Sequence, residues 1–183
     1  MAAHVKRTTT LIVVVLLALC GPGGAQNSPK LAVTSSAFAA GAPIPATYGC
    51  KGSSSVSPPL AWQGVPKDAN ALVLILKDPD APGGTFIHWV VYNLPASLTG
   101  LGANVPPTEK LANGGLQGAN ALGQIGYKGP CPPPGSSPHH YHFELTAVDV
   151  TLSLNPGATA AQVEEAIKGH VKGSGELVGT FAR

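Results

Sequence analysis

The sequence predicts a mostly β domain with one or two short helices, on three observations. Short apolar runs, such as ALVLIL and HWVVYNL, recur along the chain. The 23 glycines and 18 prolines lie largely between these runs, as turns joining short strands require. One segment near the C-terminus has helical apolar spacing and a capping signature.

Leu31–Phe38 reads as the first strand, and 41–59 as a turn-rich connection. Leu60-Ala61-Trp62 is a short strand closed by Gly64 and Pro66. Ala71–Leu76 is apolar throughout, which predicts a central strand buried on both faces. His88–Leu94 is a second such strand. Residues 99–124, rich in Gly and Asn, read as a surface excursion. Tyr141–Val150 alternates, so His139, Tyr141 and Phe143 share one face while His140, His142 and Glu144 share the other. Thr159 to Gln162 fits a capping box, and Ala160, Val163, Ala166, Ile167 and Val171 form the apolar stripe of the helix. Glu164 is placed to pair with Lys168, and Gly169 to end the helix. Glu176–Ala182 reads as the closing strand.

The N-terminus has a separate logic. Lys6 and Arg7 precede the apolar run Leu11–Leu19, and Gly23-Gly24-Ala25 supplies small residues for cleavage. The expected organisation is a signal peptide over 1–25 and one domain over 26–183, secreted or periplasmic. A lipoprotein anchored at Cys20 is the alternative, against which Leu19 is bulky for the position before a lipidated cysteine. Removing residues 1–25 takes the formal charge from +2 to zero. That balance argues against a nucleic-acid partner. Cys50 and Cys131 remain, as one disulfide or as two buried thiols.

Four segments carry candidate chemistry. The first is KDPDAP, with Asp78 and Asp80 in a proline-braced turn: a rim of fixed carboxylates or an ordinary Asx turn. The second is His88, a pocket group or a structural histidine. The third, YKGPCPPP, is a stiff wall whose Gly129 permits close backbone approach and a backbone N–H for an anion, or a loop covering a sheet edge. The fourth is His139-His140-Tyr141-His142. His140 and His142 make half a metal site at most, so no metal is assigned. There is no GxSxG elbow and no Walker loop, and Ser53-Ser54-Ser55 reads as a turn.

Together, LKDPDAP, IHWVVYNLP and GYKGPCPPPG with HHYHFELTAVD resemble the phosphatidylethanolamine-binding protein family, in its bacterial and archaeal Raf kinase inhibitor-like branch. The likeness runs from about Leu31 to the C-terminus. It implies a central antiparallel sheet packed on a smaller sheet, with short helices. It also implies a pocket for phosphate-like anions walled by Asp78, Asp80, Pro82, His88, Trp89, Gly129, Pro130, His139 and Tyr141, with no cofactor. The expected ligand is a phosphate-bearing small molecule or a phospholipid headgroup, and the expected role is binding or regulation. The other readings are a hydrolase using His88 as base and Asp78 as its orienter, and an inhibitor of a secreted enzyme. Against the family's eukaryotic members, the chain has a closing strand where they have a C-terminal helix.

Overall fold

The computed structural model describes residue 1, residues 30–50 and residues 56–183. The expected signal segment beyond Met1, Cys20 and the Ser53–Ser55 turn lie outside the described residues. Among the described residues, no helix is long and apolar enough to cross a membrane.

Among the described residues, eight strands and one α-helix follow in order: β1 Ala32–Thr34, β2 Leu60–Gln63, β3 Ala71–Asp78, β4 Phe86–Pro95, β5 Gly100–Leu101, β6 Leu116–Gln117, β7 His139–Val148, α1 Ala160–Ala166 and β8 Val171–Phe181. They form a five-stranded sheet in the order β6-β4-β3-β7-β8 and a three-stranded sheet in the order β1-β2-β5. All these pairings are antiparallel.

The apolar run of β3 explains the layering. Leu72, Leu74 and Leu76 face the core shared with the small sheet, meeting Trp89, Phe143, Leu145, Trp62 and Leu60. Val73 and Ile75 face the other way and are covered, with Val90 and Tyr92, by Leu152 and the Val163 face of α1. A strand buried on both faces has no polar side to alternate with, hence its continuous apolar sequence. The capping box forms, with Gln162 N–H on Thr159 Oγ1 and Gln162 Oε1 on the Thr159 N–H.

Four local expectations are corrected. β1 is shorter than Leu31–Phe38, because Ser35 Oγ donates to Pro59 O and accepts from Ala37 N, turning the chain off the ladder. β8 begins at Val171 and not at Glu176. Its glycines had weakened the strand signal, but Gly175 lets Leu31 cross closely: an added Cβ would lie 2.1 Å from Leu31 O. Residues 99–124 include β5 and β6 as well as turns. Buried Gln117 fixes them, its amide NH₂ donating to Pro106 O and Thr108 O while its Oε1 accepts from the Trp89 indole. Glu164 pairs with Lys77 across to β3, while Lys168 takes Glu165.

Candidate functional site

Asp78 ends β3 as the chain turns, and its Oδ1 accepts the Asp80 N–H at 2.9 Å. This is the Asx turn that the DPDAP sequence allows. Its Oδ2 has a second partner, His139 Nδ1 at 2.8 Å. Both side chains are buried. A carboxylate can only accept, so Nδ1 carries the proton and Nε2 is the nitrogen left for any other partner.

His88 reaches the same place through an irregularity. Leu76 pairs with Trp89 but Lys77 pairs with Ile87, leaving His88 as an extra residue of β4. Such a bulge breaks the two-residue alternation and brings adjacent side chains to one side. Trp89 packs in the main core, and His88 meets the edge of Tyr141 at 5.2 Å. The His88 Nδ1 lies 2.7 Å from Lys128 O, and the Lys128 N–H donates back to His88 O at 2.9 Å. The carbonyl again requires the proton on Nδ1. Burial pushes the His88 pKa below its ordinary 6.5, because the charged ring would lose its water.

The sequence reading is corrected here. Asp78 orients His139 and not His88, so an Asp78–His88 acid–base pair is absent. The two histidines are also held differently, one by a carboxylate and one by a carbonyl, and the desolvated His88 favours its neutral form.

Tyr141 lies beneath both rings, stacked against His139 at 6.4 Å. Its hydroxyl is buried beside the Asp78 carboxylate and the Cys131 main chain, and makes no hydrogen bond of good geometry among the described residues. Burial, then the nearby Asp78 charge, pushes its pKa well above the usual 10.

The third side is the 127–133 segment. An added Cβ on Gly129 would stand 2.7 Å from Gly49 C, Gly49 O and Tyr48 O. The glycine is therefore required by close main-chain packing against Tyr48–Gly49. Three further ties hold that contact: the Cys50–Cys131 disulfide, the Cys50 N–H to Pro130 O bond and the Tyr127 hydroxyl to Tyr48 O bond.

These walls enclose a cavity of about 220 Å³. Of the expected residues, Asp78, Pro82, His88, Gly129 and His139 line it. Phe86, Lys128 and Cys131 also line it without being expected as ligand-binding residues, although Lys128 and Cys131 lie in the YKGPCPPP wall and Phe86 stands two positions before His88. Asp80, Trp89, Pro130 and Tyr141 are not on its lining. Asp80 faces outward, where bonds from the His140 ring and main-chain N–H hold its carboxyl below the usual range. Trp89 is committed to Gln117, and the Pro130 carbonyl to Cys50.

A larger open groove, about 470 Å³, runs past Lys30, Glu144 and Glu176. Its carboxylates already pair with Lys77 and His142. The smaller cavity is the better candidate because buried polar groups converge there and because each histidine is fixed by a second group. His140 and His142 turn to different carboxylates, Asp80 and Glu176, on opposite neighbouring segments. No three or more His, Cys, Asp or Glu side chains stand together as a metal site among the described residues.

The sequence and the fold agree with known proteins. Residues 34–182 match the family model described as phosphatidylethanolamine-binding protein. A Methanothermobacter thermautotrophicus protein named UPF0098 is 49% identical over 140 residues, covering 76% of this chain and 91% of the relative. A Mycobacterium tuberculosis chain with the provisional name lipoprotein LppC is 39% identical over 196 residues, covering 95% of this chain and 94% of its own. A solved Chlamydia trachomatis structure, described as a candidate phosphatidylethanolamine-binding protein homologue, has 41% identity and a TM-score of 0.76, covering 84% of this chain and 98% of its own. With the family's motifs ordered along the sequence and its two-sheet fold around them, the chain belongs to the phosphatidylethanolamine-binding protein family.

Proposed function

We propose that this chain is an exported, non-enzymatic binding protein for small phosphate-bearing anions, a role suited to regulation. One observation carries the reading: two buried histidines, each with Nδ1 already engaged, line one cavity of about 220 Å³. That size suits a phosphate group or a headgroup, since drug-sized pockets begin near ~300 Å³. Neutral His88 offers an Nε2 lone pair, which matches a P–OH. His139, backed by the Asp78 carboxylate, donates from Nε2 when its ring is protonated. Inorganic phosphate and a phospholipid headgroup share this chemistry. The lipoprotein name of the mycobacterial relative supports export, as does the order of residues at the N-terminus. N-terminal sequencing should find Gln26 first; a lipidated Cys20 or an intact Met1 would overturn the cleavage reading.

Calorimetry should show phosphate and phosphoethanolamine binding, and sulfate, which carries no proton at neutral pH, binding more weakly. His139→Ala should cost about 1.5–3 kcal/mol of binding, the range for a hydrogen bond to a charged group. His140→Ala should change little, because that ring faces outward to Asp80. Absence of binding to either phosphate ligand would sink the proposal, and so would turnover of phosphoesters. The inhibitor alternative gains no support from the surface. Leu122 is the one large exposed apolar side chain of the 99–124 segment among the described residues, too little for a docking patch.

A further inference from the structure

The Cys50–Cys131 bridge has features that a merely structural staple does not need. Cys131 is exposed and lines the cavity, while Cys50 is half-buried. The guanidinium of Arg183 lies against both sulfurs, with Nη1 3.2 Å from Cys131 Sγ and 3.8 Å from Cys50 Sγ. No carboxylate pairs with this guanidinium among the described residues. It is held there by its own main chain, whose oxygen accepts the Gly135 N–H at 3.1 Å. A cation beside a sulfur stabilises thiolate, and a stabilised thiolate is a better leaving group in exchange.

We infer that this disulfide is a thiol-exchange site at which a small anionic thiol adds to Cys131. The thiolate attacks Cys131 Sγ, the sulfur of the more exposed cysteine. A new S–S bond forms as the Cys50–Cys131 bond breaks, and the electron pair leaves on Cys50 Sγ as thiolate facing Arg183. One disulfide replaces another, so no external oxidant is consumed. Cys50 stays close, because its N–H is bonded to Pro130 O. It can therefore attack the adduct and restore the bridge. The adduct stands in the cavity wall. Its second consequence, which rests on the proposed anion binding, is to close the cavity to phosphate.

The test uses the folded, oxidised protein with glutathione under anaerobic conditions, quenched in acid and mapped by mass spectrometry. One glutathione on Cys131 and a free Cys50 are expected. Arg183→Gln should slow adduct formation roughly threefold or more, the scale of a one-unit change in thiol pKa. Arg183→Lys should retain most of the rate. The Arg183→Gln effect should persist with uncharged 2-mercaptoethanol, since the guanidinium acts on the leaving sulfur. An adduct on Cys50, no adduct at all, or a wild-type rate in Arg183→Gln would overturn the inference. Phosphate calorimetry on the purified adduct tests the second consequence: unchanged affinity refutes closure. If unmodified protein fails to bind phosphate, the proposed function fails while the exchange result stands.

Discussion

Removing the Asp78 carboxylate measures what holds the two halves of the site together. Asp78 connects the end of β3 to β7 through His139 Nδ1 and closes its own turn through the Asp80 N–H. In Asp78→Ala the buried His139 donor loses a charged acceptor, which costs about 1.5–3 kcal/mol. The Asp80 N–H sits in an exposed turn where water can replace the carboxylate, so it adds about 0.5–1 kcal/mol. The expected total is about 2–4 kcal/mol. With a urea m-value of about 2 kcal/mol/M, the midpoint should fall by about 1–2 M with the disulfide intact. Asp78→Asn should cost less, because an amide oxygen still accepts from Asp80. The decisive measurement is a double-mutant cycle with His139→Phe. If the loss comes from the orphaned imidazole, Asp78→Ala should be milder in the His139→Phe background, with a coupling of about 1.5–3 kcal/mol. Additivity within about 0.5 kcal/mol would refute the account, leaving the Asp78–His139 contact without energetic content.

Other perturbations test other walls. The His88 pKa is depressed in the folded state, so the folded protein binds fewer protons than the unfolded chain; its contribution is full above pH 6.5 and lost as pH falls through the folded pKa. His88→Gln should therefore flatten the stability profile below pH 6.5, measured by urea unfolding, and an unchanged acid limb would contradict the desolvated ring. Gly129→Ala puts a Cβ against the Tyr48–Gly49 backbone and should cost about 1–3 kcal/mol; a wild-type melting temperature would deny the close packing. Tyr141→Phe removes a buried hydroxyl that makes no hydrogen bond of good geometry among the described residues, so calorimetric unfolding should show neutral or increased stability, and a loss above about 1 kcal/mol would mean that the hydroxyl is satisfied.

What the sequence revealed of this site, and what it hid, has a physical pattern. Strand alternation alone placed His139 and Tyr141 on one face and His140 and His142 on the other, because β7 keeps its two-residue period from His139 to Val148. The same rule cannot place His88. Trp89 belongs to the core face, so regular alternation would send His88 to the opposite one. The bulge against Leu76–Lys77 cancels that step, and IHWVV has no glycine or other local signal to mark it. Partners were hidden for a related reason. Period two gives faces, but pairing Asp78 with His139, 61 positions on, requires the register between β3 and β7. The family resemblance brings the right segments together without giving that register, so the hydrolase alternative pairs Asp78 with His88 where the fold pairs it with His139. Gly129 shows the remaining limit. A glycine in a proline-rich wall signals that something comes close to its backbone. Whether that neighbour is a ligand or another stretch of chain depends on residues far away in sequence, and here Tyr48 and Gly49 occupy the space. The cavity therefore owes its wall to packing on the far side of Gly129, and its chemistry to the carbonyl of the preceding residue, Lys128, which fixes His88.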